Sequence, residues 1–87
     1  MRHALYFTAD WCGPCKRVRP IIEEINKDNQ LKFQIIDADD NIDLCKTFSV
    51  TSIPTFILVE DNVEIKRLSG AKTKIELEDF LNGWGWE

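Results

Sequence analysis

Apolar residues recur along this chain with two periods, and the switches between them mark out its elements. The run "ALYFTA", beginning at Ala4, is short and apolar and reads as a buried strand. Beyond it Val18, Ile21, Ile22 and Ile25 fall at helical spacing, so a helix beginning near the first cysteine buries one face. Pro20 lies inside that helix and removes a backbone hydrogen bond, which predicts a kink. "LKFQIID" sets Leu31, Phe33 and Ile35 against Lys32 and Gln34, the pattern of a strand with one wetter face. A short helix is expected from Asn41 to Phe48. Two strands follow, "PTFILVE" and "VEIKRLS", joined by Asp61 and Asn62, which tolerate the left-handed conformation of a tight hairpin. Thr73 with Glu76 makes a capping box, and Leu77, Phe80, Leu81 and Trp84 give the last helix an apolar stripe.

The order is therefore βαβ, helix, ββα. A βαβ unit requires a parallel pair with a right-handed crossover, and the hairpin adds an antiparallel edge. The fold class is α/β, with a mixed four-stranded sheet, helices on both faces and "LKFQIID" at an edge. A chain of 87 residues, 44% of them hydrophobic, builds one small core, so residues 1–87 are read as a single domain.

Charge and composition narrow the partners. The net charge of -4 repels a phosphate backbone, which argues against nucleic acid. "MRHALYF" is too short an apolar stretch for a signal peptide, and threonine interrupts the run "IPTFILV", which could not span a bilayer. A cytosolic protein without a membrane partner is the expectation. Three cysteines are an odd count, and Cys12 and Cys15 sit too close together to staple distant parts of a secreted scaffold.

The stretch "TADWCGPCKR" places Cys12 where the strand ends and the helix begins. Unpaired backbone N–H groups and the positive end of the helix dipole favour a thiolate there, so its pKa is expected to be depressed. Cys15 lies one turn later, close enough for a disulfide to open and close without refolding. Gly13 and Pro14 set the intervening loop, and Lys16 and Arg17 add positive charge. A structural zinc site needs four ligands, and beyond the pair the chain offers only Cys45 and His3. An inert crosslink closing so short a loop would stabilise little. The pair reads as a redox-active disulfide, Cys12–Cys15, rather than as a metal site or an inert crosslink.

"WCGPCK" after a buried strand, Pro20 in the following helix, "SIPTF" before the third strand and Gly70 after the fourth together resemble the thioredoxin family over nearly the whole chain. The resemblance implies a minimal thioredoxin fold, with Pro54 in a cis peptide facing the cysteines and the Ile53 backbone free to pair with an extended substrate segment. Trp11, Gly13, Pro14, Ile53 and Gly70 would line a shallow apolar surface around Cys12. It implies a protein disulfide reductase: Cys12 attacks a substrate disulfide, Cys15 resolves the mixed disulfide, and a separate thioredoxin reductase restores the dithiol. The partners are disulfide-containing proteins, and the protein is expected to be a monomer. A glutathione-dependent, glutaredoxin-like reductase is disfavoured by the "GP" between the cysteines and the tryptophan ahead of them. A non-catalytic binding module using the Trp11, Ile53 and Gly70 surface is the alternative from another class.

The chain also departs from the family. Thioredoxins usually carry an extra strand and helix before the strand leading to the motif, and here that strand starts almost at Met1. The buried aspartate of that strand and the lysine of the next are matched by Tyr6 and Ile35, and a tryptophan expected shortly before the motif is Thr8. A tail "GWGWE" carries Trp84 and Trp86, at least one of which is expected to be shielded. Cys45 reads as a small buried residue and His3 as a solvated residue at a frayed start. Asp37, Asp39, Asp40 and Asp43 read as capping and solubilising acids.

Overall fold

A computed structural model describes residues 1–28 and 32–82. Strand β1 spans Arg2–Thr8, helix α1 Gly13–Asp28 and strand β2 Phe33–Asp37. A 3-10 turn, Ala38–Asp40, leads to helix α2, Ile42–Thr47. Strands β3, Thr55–Glu60, and β4, Val63–Ser69, form the hairpin, and helix α3, Lys74–Asn82, closes the order. This is the expected βαβ, helix, ββα series. Leu31, Trp84 and Trp86, and with them the expectation of a shielded tail tryptophan, lie outside the described residues.

The four strands form one mixed sheet in the order β2-β1-β3-β4. β1 pairs parallel with β2, with Tyr6 opposite Ile35, and antiparallel with β3, while β3 and β4 pair antiparallel. β2 lies at an edge, as expected. The hairpin turns at Asp61 (φ 51°) and Asn62 (φ 69°), both left-handed, which matches the twist of the flanking strands.

Side chains alternate along each strand to feed two apolar layers. On one face Ala4, Tyr6, Phe33, Phe56 and Leu58 meet Val18, Ile22 and Ile25 of α1 and Leu77, Phe80 and Leu81 of α3. On the other, Leu5, Phe7, Ile36, Ile57 and Val59 meet Leu44, Cys45 and Phe48 around α2. β1 and β3 are central and covered on both sides, which explains their unbroken apolar runs.

Three expectations need correction. The alternation places Ile35 on the apolar face of its strand, yet it is 41% exposed, because the edge position leaves that end of β2 uncovered. His3 is not on a frayed end: it pairs within β1, opposite Val59, although its side chain is exposed. Cys45 is half-buried rather than buried, packed against the second apolar layer at the surface of a helix. The capping box is present as read, with Thr73 Oγ1 accepting from the Glu76 N–H at 3.2 Å and Glu76 Oε1 accepting from the Thr73 N–H at 3.0 Å.

Candidate active site

The cysteines lie where the central strand β1 hands over to α1. Cys12 immediately precedes Gly13, the first residue of α1, so it occupies the N-cap position of that helix. Its Sγ does what a capping oxygen does elsewhere: it accepts the backbone N–H of Cys15 at 3.2 Å. No acidic residue lies in the first turn of α1, and Lys16 and Arg17 follow Cys15. The Cys12 sulfur therefore lies at the helix N-terminus, an environment that favours a thiolate.

Cys12 and Cys15 are joined as a disulfide, with Cα atoms 5.3 Å apart. Both are largely buried, Cys12 at 4% exposure, and they form a small apolar cluster with Ala9 and Ile53. Ile53 arrives from the loop before β3, and its carbonyl oxygen lies 3.9 Å from Cys12 Sγ. The Ile53–Pro54 peptide is cis, as the resemblance implies. The Pro54 carbonyl accepts the Gly70 N–H at 2.9 Å, which ties the end of β4 to this loop, and Gly70 has φ +88°, a conformation that favours glycine.

Of the residues expected around Cys12, Gly13 and Pro14 are exposed at the start of α1, and Trp11 is 69% exposed beside it. Trp11 and Ile53 line one cleft of about 440 Å³ together with Cys45 and Val50. The cysteines, Ile53 and Trp11 thus converge, while Gly70 is connected to them through Pro54.

Two participants, Asp39 and Arg67, escape sequence reading, and a third, Tyr6, is the residue that stands where the family has its buried aspartate. Asp39 accepts a hydrogen bond from Trp11 Nε1 at 3.0 Å, fixing the indole beside the cleft. The sequence reads Asp39 as a capping and solubilising acid, with no hint of this contact; Asp37 does cap, accepting the Asp39 N–H at 2.9 Å. Arg67 donates to the carbonyls of Phe48 and Ser49 and to Glu64, holding the start of the loop that carries Ile53. Tyr6 Oη donates to Thr8 Oγ1 at 3.1 Å or to the Cys15 carbonyl at 3.4 Å, beneath the pair. Burial pushes the Tyr6 phenol above its usual range, against smaller opposing effects of Thr8 and Arg19. The bonds of Trp11 to Asp39 and of Arg67 to the Phe48 and Ser49 carbonyls join residues far apart in the chain, and no local spacing announces them.

No helix among the described residues is long and apolar enough to cross a membrane. The thioredoxin family model matches residues 2–83. A bifunctional thioredoxin reductase/thioredoxin of Mycobacterium leprae is 47% identical over 73 residues, covering 82% of this chain and 16% of that protein. Thioredoxin H2 of Arabidopsis thaliana is 47% identical over 73 residues, covering 83% of this chain and 54% of its own length. This chain thus spans only part of the curated relatives it matches. A solved thioredoxin of Nicotiana alata superposes with a TM-score of 0.85 at 36% identity, covering 93% of this chain and 70% of the other. Fold, cysteine pair and family match agree, and the chain belongs to the thioredoxin family.

Proposed function

We propose that this chain is a protein disulfide reductase that works by dithiol–disulfide exchange, with Cys12 as the attacking and Cys15 as the resolving cysteine. The observation that carries the reading is the position of Cys12 Sγ, which caps α1 and accepts the Cys15 N–H. Those contacts favour the thiolate on Cys12 over one on Cys15.

In the first step the Cys12 thiolate displaces one sulfur of a substrate disulfide and forms a mixed disulfide. Cys15 then attacks Cys12, the pair closes, and the second substrate sulfur leaves as a thiol. Two electrons pass from the pair to the substrate and no bound cofactor takes part. In this reading Trp11, Gly13, Pro14, Ile53, Pro54 and Gly70 form the contact surface, along which an extended peptide segment is recognised through apolar contacts and the loop backbone; Trp11 and Ile53 line one cleft, which supports it. The partners in this reading are disulfide-containing proteins and a separate thioredoxin reductase. Residues 1–87 act as one domain and as a monomer, in the cytoplasm, where a reducing environment keeps the dithiol available.

Turnover tests the reading. Reduced protein should reduce insulin disulfides when coupled to a thioredoxin reductase, and Cys12→Ser should abolish that activity. Turnover with glutathione and glutathione reductase in place of thioredoxin reductase would instead assign the chain to glutathione-dependent chemistry.

A further inference from the structure

The resolving step has a proton to place. Cys15 must lose its S–H proton before its sulfur can attack Cys12, and a nearby base accelerates such a step. The buried neighbour at this point of β1 is Tyr6, whose phenol is protonated near neutral pH, its ordinary pKa of about 10 being raised further by burial. Tyr6 is therefore no base, and its hydroxyl is occupied by Thr8 and the Cys15 carbonyl.

Beside Cys15 the fold opens a crevice of about 290 Å³ that shares no lining residue with the Trp11–Ile53 cleft. Its walls include Thr8, Cys15, Lys16 and Pro20, and the carboxylate-bearing Asp10 and Glu23 also line it. Thr8, a buried polar residue, lines this wall, and its hydroxyl also accepts from Tyr6. Pro20, inside α1, has no N–H to give the Lys16 carbonyl, which leaves a second polar atom without its usual helical partner. A volume of this size with such partners suits ordered water, which needs about two to four hydrogen bonds. Asp10 and Glu23 are exposed, so they are available as proton acceptors in solvent contact.

We propose that this crevice is the proton exit of Cys15, with water held in it passing the proton to the carboxylates of Asp10 and Glu23. The inference rests on Cys12 attacking and Cys15 resolving. In the mixed disulfide the Cys15 S–H bond breaks and the proton moves through water to a carboxylate. The freed electron pair forms the Cys15–Cys12 bond as the Cys12–substrate bond breaks. The departing substrate thiolate takes up a proton from solvent, and the carboxylic acid returns its own. The pair is oxidised by two electrons and the substrate disulfide is reduced by two. Asp10 and Glu23 act on Cys15 only through water. The other charged or titratable groups about the crevice and Cys15 are Lys16 and Arg19 of α1, Tyr6 of β1 and the partner sulfur of Cys12. Ile35, beside Tyr6 on β2, contributes no charge.

Stopped-flow reaction with the aromatic disulfide of Ellman's reagent separates the two steps, because each cysteine releases one coloured thiolate in turn. The parent carries Cys45→Ala so that only the pair reports. Asp10→Asn with Glu23→Gln should leave the first phase within about twofold and slow the second about a hundredfold at neutral pH, the lower end of the usual range of general-base effects. The second phase of that variant should recover as pH rises and hydroxide takes the proton, and added imidazole should accelerate it more than it accelerates the parent. Both side chains are exposed, and circular dichroism checks that the fold is kept. A second phase equal to the parent's at every pH, or a loss that imidazole does not relieve, overturns the proton exit. If the parent itself shows no fast first phase, the assignment of Cys12 fails and this inference falls with it.

Discussion

Cys12 combines two demands in one atom, since its sulfur caps α1 and is the sulfur assigned to attack. Its thiol should accordingly titrate well below the unperturbed value of about 8.5. In the reduced protein iodoacetamide should modify Cys12 much faster than Cys15, as peptide mapping after brief exposure would read; equal rates would remove the distinction. Tyr6 carries a separate prediction. Its folded pKa is raised, so the folded state holds a proton that the unfolded chain releases above about pH 10. Stability therefore falls as pH rises from that value towards the folded pKa, and Tyr6→Phe should flatten the fall in alkaline urea titrations while changing neutral turnover little. At this scale the sequence exposes what depends on neighbours in the chain. The cap at Cys12 is legible because Gly13 to Arg17 are adjacent to it. The Trp11–Asp39 bond is not, because β2 has to be laid beside β1 before Asp39 comes within reach. Ile35 misleads for a related reason: its apolar side chain fits the alternation, but the edge of the sheet leaves it 41% exposed.

Among the elements, the hairpin and the capped helix were readable because their signals are local: two residues suited to positive φ at Asp61 and Asn62, and Thr73 three positions before Glu76. The loop between α2 and β3 is different. It carries Ile53 to the cysteines, and its first carbonyls, those of Phe48 and Ser49, are held by Arg67 from β4. Glu64 orients the same guanidinium, with Nε 2.8 Å from Oε2. A charged residue on a strand that reads as an exposed edge gives no hint of this contact. Arg67→Ala should lower stability by about 1 to 2 kcal/mol, given that the hydrogen bonds are partly solvated. Arg67→Lys should recover only part of that loss, because an ammonium cannot reproduce the fork geometry. Urea denaturation of both variants checks the order.

For the molecule as a whole, the two apolar layers leave the site at the end of the central strand, where β1, α1 and the loop before β3 meet. Phe56 stacks on Tyr6 with ring centroids 5.2 Å apart and is fully buried, so the packing beneath the site is continuous with the core. Phe56→Ala should cost about 3 to 5 kcal/mol, measured by urea unfolding. The overall architecture was legible because alternation, helical spacing and turn residues all pointed to one order of elements. The crevice beside Cys15 was not, since it arises from the approach of α1 to β1 rather than from any run of residues. The central claim is that Cys12 attacks and Cys15 resolves, and trapping tests it most directly. Reduced Cys15→Ser protein is mixed with insulin, quenched in acid and analysed by mass spectrometry with peptide mapping. The account predicts a stable mixed disulfide between an insulin chain and Cys12, and no such adduct with Cys12→Ser. An adduct located on Cys15 in the Cys12→Ser protein, with none on Cys12 in the Cys15→Ser protein, would contradict it.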